Sequence, residues 1–164
     1  MNLQEYNHCV TNYSDAVYRF IVKQMKDQEE AKNVVQDSFE ILWIKRDSVE
    51  PDTAKSYLFT VAYNKMIDVL RKTKRMSSLG VNETGAIVNP AKEYELREVL
   101  DKALSQLPDL QKSIVLLRDL EGYSYKEIGE ILSLNPAQVK VYLFRARTAL
   151  RSLITKMEDH HGNK

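Results

Sequence analysis

The chain has a single cysteine, Cys9, and can form no internal disulfide. A reducing compartment, the cytoplasm, is the natural setting. Glycine and proline are also scarce, five and four in 164 residues. Alternating Val/Thr runs are rare as well, so the shortages favour an all-α chain over a sheet protein. No run of about 18 apolar residues occurs, so no membrane insertion is expected. Met1-Asn2-Leu3-Gln4-Glu5 lacks a basic stretch followed by an apolar one, so no secretory signal is expected. Histidine is limited to His8, His160 and His161. No Cys/His/acid cluster has ligand spacing and no glycine-rich phosphate loop is present. Neither metal, cofactor nor catalytic site is therefore expected.

Net charge is small, +1, but the signs are segregated. Residues 27–54 carry eight acids against three bases, and residues 55–76 carry six bases against one acid, Asp68. Residues 136–157 carry five bases and no acid. Separate blocks of sign point to distinct partner surfaces, although clustering on solvated faces would look the same.

Residues 77–92 hold two Gly, one Pro and several small polar residues between strongly helical segments. So long a structureless stretch is unusual inside one compact domain, and it reads as a flexible linker between an N-terminal helical bundle, 1–76, and a C-terminal one, 93–158. Before it, helices are expected near 14–26 (starting at Ser14), 28–46 and 53–75. After it they are expected near 93–106, 109–120, 125–133 and 136–156. Leu107-Pro108-Asp109 breaks and restarts the chain, and Gly122 suits a helix end. Ser124-Tyr125-Lys126-Glu127 is a capping box. Asn135-Pro136-Ala137-Gln138 repeats the device with proline at the first helical position.

Two capped helices joined by Ser133-Leu134-Asn135 make a helix-turn-helix candidate, with Gly129 where close approach needs a small residue. Val139, Leu143, Ala146, Leu150 and Ile154 form one inward stripe on the second helix. At about 100° per residue, Ala137, Gln138, Val141, Arg145 and Thr148 point away from that stripe. A DNA-binding helix would present them to the major groove, with Lys140 and Arg147 on a flank facing phosphates. An ordinary helical hairpin with a solvated basic face is the alternative.

In the 53–75 helix, Ser56, Thr60, Asn64 and Asp68 recur every four residues, flanked by Tyr57, Phe59 and Tyr63. Arg71-Lys72-Thr73-Lys74-Arg75 closes it. Rings that stack, polar groups that read base edges and bases that follow phosphates are what unpaired nucleotides need. A core helix with buried aromatics and a solvated basic tail is the competing account. In the 28–46 helix, Val35, Phe39 and Leu42 share an apolar line, with Asp37 and Glu40 on another side. Such a face suits a protein partner better than DNA.

Three stretches in this order resemble extracytoplasmic-function sigma factors of the sigma-70 family. Ala31 to Trp43, with Val34-Val35-Gln36-Asp37 and Phe39, resembles the family's core-binding segment. Tyr57-Leu58-Phe59-Thr60-Val61-Ala62-Tyr63-Asn64-Lys65-Met66-Ile67-Asp68-Val69-Leu70-Arg71 resembles its promoter-melting helix. Leu107-Pro108, Leu117 through Gly129 and Val139-Lys140 through Arg147 resemble its −35-binding domain. The resemblance implies a factor that binds core RNA polymerase and directs it to promoter DNA. Val35, Gln36, Asp37, Phe39, Glu40 and Trp43 would dock on the largest subunit's clamp helices, and the C-terminal domain on the second subunit's flap. Tyr57, Phe59, Tyr63, Asn64 and Asp68 would serve −10 melting, with Asn64 lining a pocket for a flipped base. Arg71, Lys72, Lys74 and Arg75 would hold phosphates. Ala137, Gln138, Lys140, Val141, Arg145 and Arg147 would read the −35 element. An inhibitory anti-sigma partner is implied too. Several positions depart from the family pattern. Lys32 and Asn33 replace common acids, Tyr57 replaces a common tryptophan, and Val141 stands where serine is usual. A helix-turn-helix repressor or response-regulator output protein would explain residues 107–156 but not the two earlier stretches.

Overall fold

The computed structural model describes residues 1–77 and 95–162, which hold seven α-helices and no strand. Helix α1, Leu3–Val22, starts much earlier than Ser14. The Asn2 side chain accepts from the Glu5 N–H at 2.8 Å, and Glu5 Oε1 accepts from the Asn2 N–H at 2.9 Å. This reciprocal cap outcompetes the Ser14 signal, which falls inside the helix. Helix α2, Gln28–Ile44, is capped by Asp27, with Glu29 and Glu30 in its first turn at the positive end of the helix dipole. Its buried line is Ala31, Val34, Ser38 and Leu42, so Val35 and Phe39 are only half-buried. Ser38 is satisfied by donating to the Val34 carbonyl at 2.7 Å. Two 3₁₀ turns, Arg46–Ser48 and Pro51–Thr53, lead into α3, Ala54–Ser77.

The C-terminal unit begins with α4, Glu95–Gln106, and α5, Asp109–Val115. The helix expected over 109–120 is not uniform: from Leu116 to Leu120 it widens into a π turn. The Glu121 N–H reaches the Leu116 carbonyl at 3.0 Å, and the Tyr123 N–H reaches the Leu117 carbonyl at 3.0 Å. Gly122 closes this end with φ of 74°, as a residue without Cβ can. Helix α6, Tyr125–Leu132, starts at the expected Ser124/Glu127 box, with both bonds at 3.1 Å. Helix α7, Pro136–Gly162, starts at a second reciprocal cap between Asn135 and Gln138. A Cβ on Gly129 would lie 2.4 Å from the Leu134 carbonyl oxygen. The small residue thus makes room for the turn itself, where Ser133 adopts φ of 59°.

Helices α1, α2 and α3 pack on one another, and α4, α5 and α6 pack against α7. The two units do not stand apart. Helix α6 lies against α3, and the buried apolar side chains form one cluster through both units. Phe59 is the bridge: its ring sits 5.6 Å from Phe20 and 5.3 Å, edge-on, from Tyr123. Nearby, buried Ser113 donates to Gln24 Oε1 at 2.7 Å while Gln24 Nε2 donates to the Phe20 carbonyl at 2.9 Å. Apart from Ser77, which ends α3, the expected linker lies outside the described residues.

Candidate nucleic-acid interface

On α7 the inward stripe is as expected where it matters most. Val139, Leu143 and Ala146 are buried, and Leu150 and Ile154 are half-buried. Ala137, Gln138, Lys140, Val141, Arg145, Arg147 and Thr148 are all exposed. Two of them are less free than expected. Gln138 Oε1 accepts from the Asn135 N–H at 2.9 Å, leaving only its NH₂ to donate outward. Arg147 forks the Asp119 carboxylate, with Nε 3.0 Å from one oxygen and Nη2 on the other. That bond raises the Arg147 pKa and neutralises much of the charge expected to meet phosphate. Arg145 stays open to solvent, its guanidinium carbon 5.9 Å from the Tyr142 ring centroid. A further residue of this face, Phe144, is 72% exposed. On the same helical wheel it falls about 140° from Val139, between Lys140 and Ala137, so periodicity alone could have found it.

On α3, Asn64, Asp68, Arg71, Lys72, Lys74 and Arg75 are exposed, and Tyr57 and Tyr63 are half-buried. Burial pushes the Tyr63 hydroxyl pKa up, with Asp109 adding to the rise. Phe59 is different: it is 0% exposed, wedged between Phe20 and Tyr123, and offers no face to a base in this arrangement. It is a core ring, because α6 and the Tyr123 segment cover its side of α3.

The covering contacts are polar at the rim. Glu127 takes the Lys55 ammonium at 2.7 Å, which lowers the pKa of the Glu127 carboxyl. Lys55 Nζ also lies 3.8 Å from the Tyr123 ring centroid. Ser56 donates to Glu130 at 3.0 Å, and Thr60 Oγ1 donates to the Ser56 carbonyl at 2.7 Å and lies 3.2 Å from the Ile131 carbonyl oxygen. Arg19 forks Glu121 at 3.0 and 2.7 Å. Burial, helped by Glu121 and Glu127, pushes the Tyr123 hydroxyl up to about 12.

The acidic face of α2 stands clear of this seam. Gln36, Asp37, Glu40 and Trp43 are exposed beside half-buried Val35 and Phe39. Trp43 is held by the Tyr6 ring, 4.9 Å away, and by the Arg46 guanidinium, 3.9 Å from its ring centroid. Tyr6 in turn donates to the Phe39 carbonyl at 3.1 Å. Among the described residues no group of three His, Cys, Asp or Glu could hold a metal, and no helix is long and apolar enough to cross a membrane.

An all-helical chain with an acidic α2, a basic α3 and a capped helix-turn-helix has the make-up of a DNA-binding transcription factor. Comparison with known families places it further. The Sigma-70 region 2 model matches residues 9–76, and the Sigma-70, region 4 model matches residues 97–150. The ECF RNA polymerase sigma factor SigM of Bacillus subtilis (strain 168) is 34% identical over 149 residues, covering 88% of this chain and 91% of that protein. RNA polymerase sigma factor SigV of the same organism is 32% identical, covering 90% of each. The sigma factor RpoE from Bartonella quintana, solved in complex with the anti-sigma factor NepR, superimposes with a TM-score of 0.76 at 26% identity. The match covers 93% of this chain and 98% of that one. The chain belongs to the extracytoplasmic-function group of the sigma-70 family, the transcription initiation factors.

Proposed function

We propose that this chain docks on core RNA polymerase through the α2 face of Val35, Gln36, Asp37, Phe39, Glu40 and Trp43. It then carries the polymerase to promoters that α3 and α7 recognise. Asn64 and Asp68, with Tyr57 and Tyr63, serve the −10 element, and Arg71, Lys72, Lys74 and Arg75 follow its phosphates. Lys140, Val141 and Arg145, with Ala137 and the Gln138 NH₂, face the −35 element in the major groove. The observation that carries this reading is the clean division of α7. Val139, Leu143 and Ala146 are buried, and the outward positions up to residue 157 are exposed and free of acids. The factor works in the cytoplasm, supplies no catalytic group of its own, and is restrained by an anti-sigma protein. Its C-terminal unit also meets the flap of the polymerase's second subunit.

Run-off transcription with core polymerase on a randomised promoter pool tests this. Enrichment of templates sharing two elements, dependent on core and chain together, is the expected result. Specific duplex binding by the chain alone, without co-migration with core polymerase, would instead mark a repressor.

A further inference from the structure

The first turn of α7 is held by a reciprocal pair. The Asn135 side chain accepts from the Gln138 N–H at 2.8 Å, and Gln138 Oε1 accepts from the Asn135 N–H at 2.9 Å. The second bond fixes which way the Gln138 amide faces. A backbone N–H can be met only by an acceptor, and an amide NH₂ is a donor alone. The carbonyl end is therefore turned in on the helix start, and the NH₂ is the end left over. Gln138 is exposed, and its NH₂ has no partner among the described residues.

Three residues share a line here. At about 100° per residue, Gln138, Val141 and Arg145 fall within about 60° of one another. Val141 is 46% exposed, and Arg145 is open to solvent. The line thus offers a donor, an apolar side chain and a donor, with no acceptor. Glutamine's usual match in the major groove is adenine, whose N7 accepts from the NH₂ while its N6 amino group donates to the carbonyl oxygen. That match needs both ends of the amide, and here the chain itself takes one of them. Turning the carbonyl outward would strand the Asn135 N–H at a helix start pressed against DNA. Guanine presents two adjacent acceptors, N7 and O6, and asks for donors only.

We propose that Gln138 is a specificity-determining residue, held by its own cap in donor-only reading, so that it selects guanine and discriminates against adenine. This rests on the −35 role given to α7 above and names the base edge that one of its residues takes. Gln138 and Arg145 stand about 10 Å apart along the helix axis. The guanine taken by Gln138 therefore lies on a different base pair from the one Arg145 reads, at most about three steps away.

Holoenzyme assembled from core RNA polymerase and the full chain, competing for promoters that carry each of the four bases at every −35 position, tests this. At one position the wild type should favour guanine over adenine about three- to tenfold, the range of a single hydrogen bond gained or lost. The sharper variant is Gln138→Glu. Glutamate still closes the capping box, so α7 keeps its start, and the outward atom becomes an acceptor oxygen. Preference at that same position should pass to cytosine or adenine, whose N4 and N6 amino groups donate. The added negative charge weakens binding to every template alike, so the ratio between bases is read rather than the affinity. Thermal melts should show Gln138→Glu no less stable than the wild type, since an acid in the first turn also suits the helix dipole. Arg145→Ala should relax a different position and leave this one alone. A wild-type preference for adenine where Gln138→Glu acts would overturn the donor-only assignment. So would a guanine preference that vanishes in Gln138→Glu without passing to another base, or one that this variant leaves unmoved while Arg145→Ala relaxes its own position. All three results leave the −35 role standing. Indifference of the wild type to every −35 base would instead sink that role, and this assignment with it.

Discussion

Arg147 and Asp119 face each other across the helix-turn-helix, with both nitrogens of the guanidinium edge on both oxygens of the carboxylate. The pair ties α7 to the π turn that precedes α6. Its geometry occupies the edge of the Arg147 guanidinium that was expected to meet phosphate.

That placement separates three basic residues by what their loss should do. Lys140→Ala should weaken binding to all sequences and reduce the salt dependence of holoenzyme–promoter affinity by about one phosphate contact. Arg145→Ala should cost about 1–3 kcal/mol on the cognate −35 sequence and little on others, because an open arginine fork can pair two acceptors of guanine. Arg147→Ala should leave the salt slope unaltered and lower the melting temperature instead. Salt titrations on cognate and scrambled promoters, with thermal melts, give the comparison. A slope change for Arg147→Ala equal to that of Lys140→Ala would return it to the phosphate contacts.

Lys112 gives a prediction that needs no DNA. It is 8% exposed. Burial lowers its pKa, Asp109 opposes the shift, and Lys74 and Lys26 add to it. The folded chain therefore disfavours the charged lysine relative to the unfolded chain. Below that lowered folded value the lysine is protonated in both states, so the whole penalty is present. As pH rises through the lowered folded value toward 10.5, the folded state sheds the proton first and the penalty fades. Lys112→Met should raise stability by about 1 kcal/mol at neutral pH, with the gain shrinking in alkali. Urea denaturation across that range checks it. A loss of stability would show that attraction to Asp109 outweighs burial.

Local signals were legible in the sequence and distant ones were not. Ser124-x-x-Glu127 and Asn135-x-x-Gln138 sit within one helical turn, and both caps form. The Val139, Leu143 and Ala146 stripe follows from helical period alone. Asn2-x-x-Glu5 carries the same kind of signal, and α1 begins there, eleven residues ahead of the expected start at Ser14. Phe59 could not be placed from its neighbours, because whether a ring on α3 faces a base or a core depends on Tyr123, 64 residues away. Arg19 and Glu121 are 102 residues apart, and nothing in either local sequence names the other. The outward side of α7 was therefore readable, while the covering of α3 was a fact of tertiary packing.

Asn64 offers the sharpest separation of structure from function. It lies in the middle of α3, it is exposed, and its amide makes no hydrogen bond among the described residues. Asparagine is a poor helix former because its short amide competes with the helix for backbone partners. Nothing in the fold offsets that cost at this position, so Asn64→Ala should stabilise the chain by about 0.5 kcal/mol. A base-reading amide predicts the opposite sign for function. Opening a base pair costs a few kcal/mol, and a pocket that holds the extruded base recovers part of it. Asn64→Ala should therefore melt at a higher temperature, bind core polymerase as before, and form open complexes more slowly on duplex promoter. A template already melted across the −10 region should remove most of that defect. Thermal melts and open-complex assays on duplex and bubble templates supply the measurements. If Asn64→Ala lowers the melting temperature, or if bubble and duplex templates suffer alike, the amide is not capturing a base.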